Sequence, residues 1–384
     1  MDSKELTPVS VVMATDHAYA MPLAVAVRSI LENLSSAAVL HLYVLADGIP
    51  EDMKRRMAQS WQPFPLRLTW ISPDTNRLRG KVSTRGYAGV MACYFRLLAG
   101  EVLPRELQKV IYLDADVCVL GDLLTLWNKN MQGKILLAAP DPYADTFHTP
   151  RLARAAVRET VRFTGKGDYF NAGVLVIDLK RWREENIGKK ALELLFNYRD
   201  ELAFRDQDAL NYVANNHWGP LNPAWNFLEM HFGYFGWEGH GCTETELREA
   251  FTSPQIVHFA SPVKPWDPLC PLYFADRFMG YLRRTSWKDW RPPPASPIRR
   301  LFFHLITFPN SRLDWYFWRG MVQMRDAQYI SKFIKLMIAR PWAMITFPLW
   351  QLGSWFLLKT MDRKNVKEMK AFLRRLIRLR NPTI

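Results

Sequence analysis

The stretch Val110-Ile-Tyr-Leu113-Asp114-Ala115-Asp116-Val117-Cys-Val-Leu120 is the place to begin. Apolar residues flank two carboxylates on both sides, so the segment reads as a buried β-run that carries acids. In extended chain, residues two apart point the same way, which converges Asp114 and Asp116 on one site. Two buried like charges at that range repel and raise a pKa unless a cation neutralises them. A hard divalent ion does so and keeps coordination positions for phosphate oxygens. The plainer explanation is a pair of acids capping a strand end or turn. The spacing alone leaves both open.

Working outward, Val9–Ala14 is a continuous apolar run, as a parallel strand buried on both faces should be. Pro22 stands where a first helical position is expected. Leu23, Ala26, Val27, Ile30, Leu31 and Leu34 follow at helical spacing. Leu40–Leu45 is a strand candidate followed by the turn signal Asp47-Gly48, and Leu66–Ile71 is another strand candidate. Val110–Leu113, Ile135–Ala139 and Gly173–Ile177 are further short apolar runs, with helical stretches between several of them. Strands alternating with helices predict an α/β body with a mostly parallel sheet. Such sheets bind ligands at the carboxyl ends of strands, where strand order reverses. Thr15 and Asp16, directly after the first strand, fall at such an edge. The chain lacks GxGxxG between strand and helix, GxxxxGK[ST] and HExxH, so the dinucleotide, P-loop and zincin readings have no signature.

A second chemistry-bearing run is Ile256-Val257-His258-Phe259-Ala260-Ser261-Pro262-Val263-Lys264-Pro265-Trp266. His258 ends a short strand, where a satisfied core histidine competes with a ligand. Six residues on, Lys264 offers a cation suited to a diphosphate. Two Asp, a His and a Lys together outline a metal–diphosphate site.

Composition bounds the rest. The 384 residues are 49% hydrophobic and 23% charged. That excludes a wholly disordered, collagen-like or polytopic membrane protein. The formal charge of +14 is unevenly spread: residues 281–384 hold 21 basic and 5 acidic residues. The body is near neutral, and the tail must tolerate or seek an anionic partner. Cys93, Cys118, Cys242 and Cys270 form no CxxC and suggest neither zinc nor a disulfide framework, in keeping with a reducing compartment. Val9–Ala14 is too short for a signal-peptide core and has the wrong flanks, which favours a cytoplasmic protein.

Seven blocks bring a resemblance: VVMATDHAYA, YFRLLAGEVLP, KVIYLDADVCVLGDL, YFNAGVLVIDLKRW, RDQDALN, LNPAWNF and HFASPVKPW. In this order, over roughly residues 9–266, the chain resembles glycosyltransferase family 8. The likeness is strongest to the bacterial lipopolysaccharide and lipooligosaccharide glucosyl- and galactosyltransferases. The resemblance implies a nucleotide-diphospho-sugar transferase (GT-A type) fold, with a mixed, mostly parallel sheet flanked by helices. It also implies retaining transfer from a UDP-hexose. By the same resemblance, Asp114, Asp116 and His258 would bind manganese, with magnesium as an alternative. Ala14, Thr15 and Asp16 would meet the uridine, and Asp16 the base. Arg96 and Lys264 would contact donor or diphosphate, alongside Ala115 and Ser261. Asn171 and Ala172, with Asp206 and Gln207, would line the sugar-donor pocket, the last two as candidate catalytic residues. Ser261 stands where the family usually has Gly, and Ala18 where many relatives have Asn. Gly permits close backbone approach to a phosphate, so the local loop is expected to differ.

Retention admits two routes: two carboxylate-assisted steps, or attack by the acceptor on the face the diphosphate is leaving. The second is preferred, because no matched block offers a clear nucleophile. A metal-dependent nucleotidyltransferase could use the same groups. The alternative from another class is an inactive relic acting as a membrane-binding protein.

The domain plan read from the chain is a catalytic nucleotide-sugar-binding domain over 1–270 and a small extension over 271–290. A Pro-rich linker follows over 291–298, then a basic, aromatic, helical membrane-docking region over 299–384. Three consecutive prolines in the linker favour a stiff, extended spacer. Pro341–Leu358 holds no charge across 18 residues but includes two prolines and three tryptophans. As a helix it would cover about 27 Å, barely a bilayer core. Tryptophan favours the interface, so a monotopic or re-entrant element is preferred over a full span or a soluble core helix. Near Arg363–Arg380, Val366, Met369, Leu373, Leu376 and Ile377 form one stripe with Lys and Arg opposite, an interfacial pattern. The expected partners are a UDP-sugar, a glycolipid or oligosaccharide acceptor and an anionic membrane surface, not nucleic acid. The expected location is cytoplasmic, peripheral or monotopic on the inner face of the cell membrane.

Overall fold

A computed structural model describes residues 6–82, 91–141, 169–199, 202, 204–228, 242–260, 264–270, 272–295 and 297. The chain separates into two compact units, Met1–Pro294 and Ala295–Ile384.

Ten strands are present among the described residues, all in the first unit: β1 (Thr7–Asp16), β2 (Ala38–Asp47), β3 (Leu66–Ile71), β4 (Lys109–Leu113), β5 (Val117–Val119), β6 (Leu136–Pro140), β7 (Phe170–Asp178), β8 (Trp218–Pro220), β9 (Phe227–Leu228) and β10 (Ile256–His258). Seven form one sheet in the order β3-β2-β1-β4-β7-β6-β8. Pairing is parallel through β3-β2-β1-β4 and between β6 and β8. β7 runs antiparallel to both β4 and β6, so the sheet is mixed but mostly parallel. The small second sheet has the order β5-β10-β9.

The apolar run of β1 is buried on both faces, with Val9, Val11, Val12 and Met13 fully inaccessible. Each such side chain contributes about 1.5–3 kcal/mol relative to exposure. On one face Val12 and Ala14 join Tyr94, Phe95, Leu97 and Leu98 in a single core cluster. Helix α1 (Ala20–Asn33) follows β1 and buries Leu23, Ala26, Val27, Ile30 and Leu31 of its expected stripe, and Ala24 and Val25 besides, whereas Leu34 lies just past its end and is half-buried. The wider burial has a cause: α1 also meets helix α2 (Glu51–Ser60), β5 and a helix near residue 280. Pro22 is the third residue of α1 rather than the first, still within the turn where a missing N–H costs nothing. Gly48, after β2, has φ +61°, a conformation that favours glycine.

The extended reading of Val110–Leu120 needs correction. β4 ends at Leu113, the chain turns through Ala115 and Asp116, and β5 begins at Val117 in the other sheet. A continuous strand cannot serve two differently oriented sheets, so the backbone breaks where the two acids stand. Backbone bonds secure the break: Asp114 N donates to Gly173 O (2.9 Å) and Phe259 N to Asp116 O (3.0 Å). β5 is then pinned on α1, where Ser29 Oγ accepts from Val119 N (2.9 Å) and Asn33 Nδ2 donates to Val119 O (3.1 Å).

After β1 the chain runs outward through β2 and β3, then returns to β4 on the other side of β1. The crevice at the carboxyl ends of β1 and β4 is therefore a topological switch point. No helix among the described residues is long and apolar enough to cross a membrane. Pro341–Leu358 and the stripe near Arg363–Arg380 lie outside the described residues, as does Ser261.

Candidate active site

At the switch point a cleft opens, lined by Ala14, Thr15, Tyr19, Cys93, Arg96, Tyr112 and Asp114–Asp116 among others. Thr15 is buried at the end of β1, and the Asp16 carboxylate accepts from Tyr19 N at 3.0 Å. Tyr19 meets the Trp266 ring edge-on, with centroids 5.8 Å apart.

Asp114, Asp116 and His258 converge at one end of this cleft. Each offers a ligand atom, and these atoms lie within 4.8 Å of one another. His258 Nε2 is 3.3 Å from Asp116 Oδ1 and 3.7 Å from Asp114 Oδ2. What joins them is the antiparallel pairing of β5 with β10, which sets His258 against Val117. The donor set fits a divalent ion: two hard carboxylates, an imidazole nitrogen facing them, and glycine behind. A Cβ on Gly173 would stand 2.7 Å from His258 Nδ1, so only a bare backbone leaves room for the cluster.

Around it sit the charge partners. Lys264 Nζ donates to Asp116 Oδ2 and to Phe259 O, both at 2.6 Å. Burial alone would raise Asp116, but Lys264 holds its carboxyl well below the usual range. Arg96 is buried, and its guanidinium is engaged by protein: Asp114 Oδ1 at 2.8 Å, Asp206 Oδ2 at 2.9 Å, Cys93 O at 3.1 Å, and Ala172 O. Burial opposes its charge, yet Asp114, Tyr112 and Asp206 more than compensate and raise its pKa. Tyr112 OH donates to the same Asp114 oxygen at 2.8 Å.

The second wall comes from β7 and helix α3 (Asp206–Val213). Asp206 and Asp208 are both buried. Burial pushes Asp206 up to about 6 against the pull of Arg96, with Asp114 adding to the rise. Arg205, just before it, has φ +53°, a strained backbone that turns the chain into α3. Gln207 Oε1 accepts from Ala172 N at 3.0 Å, and Gln207 Nε2 donates to Asp141 Oδ2 at 3.1 Å. Asn171 Nδ2 donates to the same Asp141 oxygen at 3.0 Å.

The structure thus gathers Ala14, Thr15, Arg96, Asp114, Ala115, Asp116, His258 and Lys264 at one end. Asn171, Ala172, Asp206 and Gln207 form the adjoining wall. Sequence reasoning passed over Tyr19, Tyr112, Asp141, Gly173 and Asn226. Asp141 had a readable signal, a carboxylate two residues past the apolar run Ile135–Ala139. Asn226 and Gly173 had none beyond their place in the matched blocks.

The model of the family described as Glycosyl transferase family 8 matches residues 10–270. The chain belongs to glycosyltransferase family 8. General stress protein A of Bacillus subtilis (strain 168) is 28% identical to it over 280 residues, 72% of this chain and 94% of that protein. The lipopolysaccharide 1,2-glucosyltransferase of Escherichia coli (strain K12) is 25% identical over 270 residues, 70% of this chain and 76% of that one. The crystal structure of galactosyltransferase LgtC in complex with donor and acceptor sugar analogues superposes with a TM-score of 0.62 at 25% identity, covering 76% of this chain and 99% of that one. The fold is therefore GT-A-like, and the family 8 match contains every residue of the cluster.

Proposed function

We propose that this family 8 protein is a retaining hexosyltransferase that moves glucose or galactose from a UDP-sugar to a saccharide acceptor. The acceptor we favour is a lipid-linked lipopolysaccharide core or related surface glycan. The observation that carries the reading is the meeting of Asp114, Asp116 and His258 beside the cleft at the ends of β1 and β4.

In this reading Thr15 and Asp16 hold the uridine, and Asn171, Asp206 and Gln207 face the hexose. Asp114, Asp116 and His258 would hold a divalent ion, manganese or magnesium, which when bound would supply Lewis-acid stabilisation of the departing diphosphate. Lys264, fixed beside Asp116, adds a cation to the same leaving group. The bond between the anomeric carbon and the phosphate oxygen breaks, and its electron pair leaves with UDP. The acceptor hydroxyl attacks from the same face and passes its proton to a phosphate oxygen of the leaving group. Asp206 is tied to Arg96, which makes it a poor nucleophile and suits it to stabilising positive charge at the anomeric carbon. The basic, aromatic region over 299–384 docks on anionic lipid at the cytoplasmic leaflet, which would bring the site to a lipid-linked acceptor.

The test is a UDP-sugar panel assayed with and without manganese, reading the released product. UDP released from one hexose donor, dependent on metal, is the expected result. Pyrophosphate release would overturn the reading in favour of nucleotidyl transfer.

A further inference from the structure

The hydrogen bonds behind His258 run in one direction, and that direction is dictated by groups that cannot reverse. Asp141 stands directly after β6, and a carboxylate only accepts. It takes one hydrogen bond from Asn171 Nδ2 at 3.0 Å and another from Gln207 Nε2 at 3.1 Å. Asn171 must therefore turn its amide oxygen the other way. There the Gly173 N–H donates to it at 2.9 Å, and a backbone N–H can only donate. Two irreversible groups thus impose the same Asn171 orientation.

The same Asn171 oxygen also accepts from Asn226 Nδ2 at 2.9 Å. Asn226 is left with its oxygen toward the imidazole, and Oδ1 lies 2.9 Å from His258 Nδ1. An oxygen there requires the proton on Nδ1. The Nε2 lone pair then faces Asp116 Oδ1 at 3.3 Å and Asp114 Oδ2 at 3.7 Å. Asn226 is 2% exposed and His258 4%, so bulk water does not compete for these bonds.

We propose that Asn226 is a positioning residue that selects the Nδ1–H tautomer of His258, its amide oriented through Asn171 by Asp141 and the Gly173 N–H. The lone pair of Nε2 thereby joins the two carboxylates in one cation site. The role rests on the reading of that cluster as a divalent-ion site. The chemistry is general: a ligating histidine donates its other ring N–H to an oxygen, which sets tautomer and ring orientation.

The test uses the full chain labelled with nitrogen-15 at histidine, metal-free and at alkaline pH, with His258 assigned by the signals lost in His258→Gln. The expected spectrum shows His258 protonated at Nδ1 and bare at Nε2. Asn226→Asp keeps an acceptor and should keep that tautomer. Asn226→Leu should lose it and bind Mn2+, added alone and followed by the electron spin resonance of the free ion, about 10–100-fold more weakly. A wild-type His258 protonated at Nε2 overturns the proposal, as does an Asn226→Leu variant that keeps both tautomer and Mn2+ affinity. Should Asn226→Leu fail to fold, the wild-type spectrum still decides the tautomer. A wild type with the expected tautomer that binds no Mn2+ overturns the cation reading alone.

Discussion

Gly173 and His258 share a space that admits no side chain at residue 173: a Cβ there would stand 2.1 Å from His258 Cε1 and 2.9 Å from Asp114 Oδ2. The backbone of β7 is thus the floor on which the cluster is set. Gly173→Ala should force the imidazole out of line, weakening Mn2+ binding by at least about tenfold. Overpacking should also lower stability by about 1–3 kcal/mol. Calorimetric Mn2+ titration and urea unfolding measure the two effects separately. Unchanged Mn2+ affinity would contradict the geometry.

Asp114 has three duties: it faces His258, it accepts from Tyr112, and it pairs with Arg96. Asp114→Asn should nearly abolish transfer, because the neutral amide is a poor ligand for a hard cation. Asp206→Asn, one step removed from the cluster, should slow transfer less. Full turnover by the Asp114 variant at saturating manganese would refute the metal assignment.

Lys264 sits 2.6 Å from Asp116, beside the cluster proposed to meet the leaving diphosphate. Lys264→Met should lower kcat by roughly 10²–10³-fold, the cost of removing one donor aimed at developing negative charge. Steady-state kinetics with the UDP-sugar measure this. A change in KM alone would show that Lys264 binds the ground state and transition state equally.

The metal-free protein should carry a pH signature from Asp206. Its folded pKa, about 6, lies above the ordinary aspartate value of 3.8, so the folded state holds this proton more tightly than the unfolded chain. Its contribution to stability is full below about 4 and is lost as pH rises through about 6, a cost of about 3 kcal/mol. Asp206→Asn should flatten that part of the stability–pH curve relative to the wild type. Parallel curves for the two proteins would show that the carboxyl does not titrate there.

The segment just before the proline stretch belongs to the first unit. Helix α4 (Ala275–Leu282) and the turn after it lie on α1 and α2. Asn33 Nδ2 donates to Tyr281 OH at 2.7 Å, and Arg56 sits 4.3 Å from the centre of the Trp287 ring. Phe278 is fully buried against Phe259 and Trp266. Truncation after Arg291 should therefore spare UDP-sugar hydrolysis and remove membrane association. Truncation before Leu272 should destabilise the fold. Equal partitioning of the full-length and Arg291-truncated proteins into the membrane fraction would sink the docking idea.

Much of the fold was legible because burial leaves a local trace. β1, β4 and β7 appear as apolar runs, since a strand covered on both faces must be apolar throughout. Leu23, Ala26, Val27, Ile30 and Leu31 mark α1 by period. The break at Asp114–Asp116 was not legible, because apolar residues on each side look alike whether one sheet or two receive them. Asp141 and Asn226 were missed as well. A buried polar residue betrays its role only through its partners, and those partners are remote in sequence.

By its own pattern, then, the chain determined an alternating α/β body, a near-neutral body charge, a basic aromatic tail and the residue types of the proposed metal–diphosphate site. Tertiary structure alone decided that Asp114 and His258, 144 positions apart, face one point. It also decided that Arg96 is spent on Asp114 and Asp206, and that an asparagine chain reaches His258 from Asp141. The reason is physical: periodicity records which side of an element is buried, whereas convergence depends on strand order and on a backbone break that no local period encodes.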